Sequence, residues 1–119
     1  VMAIAWKESL YQTDTIGDSG DSIGMMQINT RWNTDRMERL GVTNLTDPVQ
    51  SSMVAVDLLR ELAETFDSGI SDTTTLMAYN MGPTGARRAI DAGTYETAYT
   101  QEVTAMFQTY LQEMEGNHD

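Results

Sequence analysis

Cysteine is absent from this 119-residue chain, which excludes disulfide staples and thiolate metal sites without fixing a compartment. Proline occurs twice and glycine nine times, too rarely for a low-complexity or disordered chain. Basic residues are scarce: seven Lys and Arg stand against 18 Asp and Glu, for a net charge of −11. No basic run exists to neutralise phosphates, so no nucleic-acid partner is expected. Attraction to an anionic membrane is disfavoured for the same reason. The longest apolar stretch, Val1 to Trp6, is far too short to cross a bilayer, so no membrane insertion is expected.

What is present is material for a core. Hydrophobic residues make up 40% of the chain, and nine methionines can fill irregular gaps in a helical interior. The length suits one compact domain over residues 1–119, expected to be monomeric in isolation. Val1 falls inside an apolar helix, so the chain is expected to be a piece of a longer protein.

The hydrophobic spacing predicts mostly helices. Val1 to Ser9 reads as the end of a buried helix, and Leu10 to Ser22 as a polar loop. Ile23 to Ile28 is a short apolar run, extended or helical. Asn33 to Leu40 is a short helix closed by Gly41. Asp47 and Pro48 supply an N-cap and a first helical position. The apolar positions Met53, Val54, Val56, Leu58, Leu59, Leu62 and Phe66 then recur at helical spacing until Asp67-Ser68-Gly69. A helix capped by Asp72 is expected to stop at Gly82-Pro83, followed by a short helix over Gly85 to Ala92. A long last helix spans Glu96 to Met114. The fold class is therefore mainly α, a single domain with a small irregular β element in the Leu10–Ile28 region.

Three segments carry candidate chemistry: Trp6-Lys7-Glu8-Ser9, the run Gly17-Asp18-Ser19-Gly20-Asp21-Ser22-Ile23-Gly24-Met25-Met26-Gln27-Ile28-Asn29, and Ala78-Tyr79-Asn80-Met81-Gly82. A weaker fourth is Tyr95 to Tyr99. Glu8 ends an apolar helix, where partial desolvation would favour the protonated acid. Such an acid can donate to a glycosidic oxygen. A solvent-facing helix-end carboxylate is the plainer alternative. Asn80 and Gln27 each offer a donor and an acceptor, and Tyr79 and Tyr99 a ring face with a hydroxyl, as sugar binding requires. Core packing would equally account for Met25, Met26 and Tyr99, and helix-end capping for Tyr79 and Asn80. Turn chemistry would account for Asp18 and Asp21. A calcium loop on Asp14, Asp18 and Asp21 fits poorly, because the spacing is wrong and no Glu closes it. No metal and no cofactor are expected.

Taken in order, Glu8-Ser9, the Gly-rich loop, Gly24-Met25-Met26-Gln27-Ile28 and Ala78-Tyr79-Asn80-Met81-Gly82 resemble the soluble lytic transglycosylase and goose-type lysozyme superfamily over nearly the whole chain. Ile28-Asn29-Thr30-Arg31-Trp32 is also similar to a segment of animal lysozymes. The resemblance implies a lysozyme-like fold and cleavage of peptidoglycan strands at the β-1,4 bond between N-acetylmuramic acid and N-acetylglucosamine. It implies Glu8 as the catalytic acid, followed by Ser9, with Gln27 beneath the catalytic floor and Met26 against the sugar's N-acetyl region. It also places Tyr79 and Asn80 around the scissile bond and the Tyr99 hydroxyl near the acid. The expected location is extracellular, cell-wall associated or phage-borne.

The second step is left open. Inverting hydrolases use a second carboxylate about 6.5–9.5 Å from the first. Asp18 stands where the goose-type pattern has an Asp and transglycosylases commonly have a Ser, so it is the candidate second carboxylate. Asn29 stands where goose-type enzymes have another Asp, and the loop from Glu8 to Asp18 is shorter than theirs. A lytic transglycosylase would use Glu8 alone, as acid and then base. A non-catalytic glycan-binding or structural module of a phage, secretion or conjugation apparatus is the rival class.

Overall fold

A computed structural model describes residues 1–116. The chain divides into two compact units, Val1–Asp57 and Leu58–Asp119, each considered by itself below.

The first unit begins with α1 (Met2–Ser9), which buries Ala3, Ile4, Ala5 and Ser9. It stops because Leu10 turns left-handed, at φ 53° and ψ 39°, and its N–H closes on Trp6 O at 2.9 Å. The loop that follows contains more order than its polar composition suggests. Strands β1 (Ile16–Gly17), β2 (Ser22–Ile23) and β3 (Ile28–Asn29) form an antiparallel sheet in the order β1-β2-β3. Ile16 pairs with Ile23, and Ile23 with Ile28. A 3-10 turn at Asp18–Gly20 joins β1 to β2. The Ile23–Ile28 run therefore resolves as strand, turn and strand, and forms no helix.

Helix α2 (Thr34–Leu40) ends at Gly41, φ 70°, where Val42 N–H reaches back to Met37 O at 2.9 Å. That closure needs a left-handed residue, which glycine supplies without a Cβ clash. Helix α3 (Pro48–Thr65) starts as its sequence predicts. Asp47 Oδ1 accepts the Val49 N–H at 3.1 Å, and Pro48 occupies the position whose missing N–H costs nothing. Asp57 on α3 receives both Arg36 and Arg39 of α2, tying those two helices together.

The second unit holds the rest of α3, then α4 (Thr73–Asp91) and α5 (Ala98–Gly116), and α4 packs on α5. Its core is Leu62, Met77, Ala78 and Ala86, with Leu58, Phe66, Tyr79, Ala89 and Ile90 packed against it. Helix α4 is two pieces meeting at Gly82, whose φ 82° and ψ 158° leave the helical region just before Pro83. The break expected at Gly82-Pro83 is thus present. Asp72 holds the N-cap position of α4, but its carboxylate faces backward and accepts the Gly69 N–H at 2.6 Å. Its geometry stabilises the turn before the helix rather than the helix's own first amides. The last helix begins at Ala98, two residues later than Glu96, because Thr97 and Thr100 form its cap. Thr97 N–H donates to Thr100 Oγ1 at 2.9 Å and Thr100 N–H to Thr97 Oγ1 at 3.2 Å, a reciprocal capping box.

Candidate active site

In the first unit, Glu8 lies half-buried in the last turn of α1. Ser9, its neighbour, is buried, and its Oγ lies 2.8 Å from Met25 O and 3.1 Å from Ala5 O. The hydroxyl therefore pins the end of α1 to the turn between β2 and β3. Both of these contacts lie inside the protein. Immediately beyond, Leu10 and Tyr11 both have positive φ, 53° and 66°, without being glycine. Left-handed backbone at two consecutive bulky residues is strained, and such strain clusters at functional sites.

Gln27 is the keystone of the β2–β3 turn. Its own φ is 51°, and its Nε2 donates to Gly24 O at 2.9 Å and Thr15 O at 3.0 Å. Its Oε1 presses on Gly17, where an added Cβ would stand 2.5 Å away. Gly24 is equally hemmed in: φ is 85°, and a Cβ would lie 2.0 Å from Leu45 O. The two glycines and the glutamine are thus one device, a folded turn locked from inside. The Gln27 amide nitrogen is committed to backbone carbonyls. Met26 is completely buried, so in this conformation its side chain is core packing and has no surface to offer a sugar's N-acetyl group.

Asp18 is exposed, at φ 49°, and accepts the Ser22 hydroxyl at 2.5 Å. Asp21 faces Arg31 at 3.6 Å, while its carbonyl accepts the Thr30 N–H at 2.8 Å. Asn29 Oδ1 accepts the Arg31 and Trp32 N–H groups at 2.9 and 3.3 Å, shaping the turn into α2. The Asp18 and Asn29 side chains do turn chemistry, while the Asp21 carboxylate pairs with Arg31. Among the described residues, no cluster of three His, Cys, Asp or Glu side chains could hold a metal ion.

In the second unit, Tyr79 is half-buried against the core and Asn80 is exposed, two residues before the Gly82 break. The break stops the first piece of α4 there and leaves Asn80 at an accessible helix end. Tyr99 is buried in the first turn of α5, directly between the capping residues Thr97 and Thr100. Sequence reasoning gave no role to Thr97, Thr100, Thr15 or Gly17. The two threonines were legible as a T-x-x-T variant of a capping box. Thr15 contributes only a carbonyl, which leaves no trace in residue type.

The family model of the transglycosylase SLT domain matches residues 1–101. No curated protein matches the chain. Among solved structures, the 70 kDa soluble lytic transglycosylase of Escherichia coli is similar, with a TM-score of 0.66 and 21% identity over 86% of this chain. This chain spans only 19% of that protein's length. At such identity the likeness speaks for the fold, and it bears out the mainly α, lysozyme-like architecture with a small sheet.

Proposed function

The chain belongs to the transglycosylase SLT domain family, and from that premise we propose that it cleaves the β-1,4 bond between N-acetylmuramic acid and N-acetylglucosamine, with Glu8 as general acid. The observation that carries the reading is the setting of Glu8. Glu8 is half-buried at a helix end that Ser9 clamps to the Gln27 turn, and strained backbone follows it. A clamped helix end holds the acid in one place. By family resemblance we assign Ser9, Met26 and Gln27 of the first unit, and Tyr79, Asn80 and Tyr99 of the second, to substrate contact or its support.

The reaction we assign is lytic transglycosylation. Glu8 gives its proton to the leaving O4 as the C1–O4 bond breaks. The muramic 6-hydroxyl then attacks C1 and returns its proton to the Glu8 carboxylate, closing a 1,6-anhydro ring. Engagement of Asp18 by Ser22 favours this over hydrolysis, because the candidate second carboxylate already serves the turn. The place of action is wherever peptidoglycan is exposed, at the cell wall.

The test is digestion of purified sacculi followed by mass spectrometry of the released ends. Glu8→Gln should lower release at least a hundredfold with unchanged circular dichroism. Asp18→Ala should leave the anhydro product intact. Reducing ends that vanish in Asp18→Ala would establish hydrolysis instead. Binding to sacculi with no sugar released by the unmodified protein would establish a glycan-binding module.

A further inference from the structure

The cations of this chain are unevenly employed. Arg31, Arg36 and Arg39, all in the first unit, face Asp21 or Asp57. Arg60, Arg87 and Arg88, in the second unit, are exposed, and among the described residues none of them enters an ion pair. In a chain with 18 acidic residues that is unexpected, since carboxylates are abundant everywhere on the surface.

Arg87 is nonetheless held in place. Its Cζ lies over the Phe66 ring, 4.6 Å from the centroid. Phe66 is itself half-buried and packed on the Leu62–Met77–Ala78–Ala86 core, so the ring is a fixed platform. A guanidinium held by a ring face keeps its N–H groups, and those groups match a planar carboxylate two at a time. Fixing the cation beforehand also removes part of the entropy cost of binding.

We infer that Arg87, set on Phe66, is a docking point for a carboxylate of the peptide stems carried by peptidoglycan. This rests on the peptidoglycan reading above. The chemistry of the substrate demands such a point. A chain of net charge −11 repels acidic stems at long range, so accepting a stem-bearing strand requires a local cation that no internal carboxylate has neutralised. Arg87 satisfies both conditions, and Arg88 beside it reinforces the local positive potential.

The experiment measures the Kd of two soluble substrates, glycan strands with their stems and the same strands stripped by an amidase. The Glu8→Gln background keeps strands intact. Arg87→Gln should weaken binding of stem-bearing strands about fivefold to tenfold and leave stripped strands within about twofold. Arg87→Lys, which keeps charge and loses the fork, should fall between, as should Phe66→Leu. Amidase hydrolysis removes the stem carboxylates while freeing a lactyl carboxylate on each muramic acid and leaving any wall-polymer phosphate, so an equal loss on both substrates would overturn the inference in favour of a general anion contact. No loss on stem-bearing strands would overturn it outright. The two Kd values are read without turnover, so a failure of the cleavage reading, seen as no sugar release by the unmodified protein, is recorded separately.

Discussion

Replacing Gly24 by alanine tests the locked turn most directly. Two costs add. The first is conformational: φ is 85°, and a left-handed L-residue costs about 1–2 kcal/mol. The second is steric. The new Cβ would stand 2.0 Å from Leu45 O and 3.0 Å from Leu45 C. Both are backbone atoms, and Leu45 is buried, so no flexible side chain can swing aside. Overpacking of this kind costs about 1–3 kcal/mol. The total, about 2–5 kcal/mol, is a large fraction of a stability of about 5–15 kcal/mol. With a urea slope of about 1–3 kcal/mol/M, the midpoint should fall by about 1–2 M. Gly41→Ala isolates the conformational cost, because φ there is 70° and no atom lies within 4 Å of the added Cβ. It should lose only about 1–2 kcal/mol. Equal losses in the two variants, by urea denaturation, would refute the claim that the Leu45 carbonyl walls in this turn.

Asp57 makes the acid limb of stability. The Arg39 guanidinium, with Arg36 beside it, holds its carboxyl below the usual carboxylate range. Because the folded value is depressed, the stabilisation is complete above the unfolded value of about 3.9 and is lost as pH falls through the folded one. Asp57→Asn should cost about 1–3 kcal/mol at neutral pH and flatten the fall in stability below about pH 4, measured by urea melts across pH. Ser51 offers the opposite sign. Its Oγ is fully buried and has no hydrogen-bond partner among the described residues, so Ser51→Ala should be neutral or stabilising by up to about 1 kcal/mol in thermal melts. A loss above about 1 kcal/mol would mean that the hydroxyl is satisfied in solution.

The helices were legible because their signals are local. Asp47-Pro48 starts α3, Gly41 closes α2 and Gly82-Pro83 breaks α4, and each acts through its own backbone geometry. The sheet was barely legible. Its strands are two residues long, too short for alternation to register, and its order comes from Gln27, Gly17 and Gly24 meeting across twelve residues or fewer. Glu8 and Gln27 stood out by residue type and order. What they do to one another did not, because the links run through the carbonyls of Met25, Thr15 and Gly24, and every residue carries a carbonyl. Met26 shows the same limit from the other side: a methionine suits a core and a sugar pocket alike, and only its burial decides.

That dependence on carbonyls has a consequence for reading the acid's role. The end of α1 is held by the Leu10 N–H on Trp6 O, the Tyr11 N–H on Ala5 O and the Ser9 hydroxyl on Met25 O. None of these bonds uses the Glu8 carboxyl group. Glu8→Gln keeps the side chain's length, leaves these three bonds in place and removes the transferable proton. Ser9→Ala does the reverse: it keeps the acid and releases the helix end from the Gln27 turn. An acid whose position matters should lose kcat in both variants, and Ser9→Ala should also lose about 1–2 kcal/mol of stability for a buried hydroxyl bond. Loss of stability in Glu8→Gln would mean that the carboxyl group is part of the scaffold, and the drop in activity would then say nothing about proton transfer.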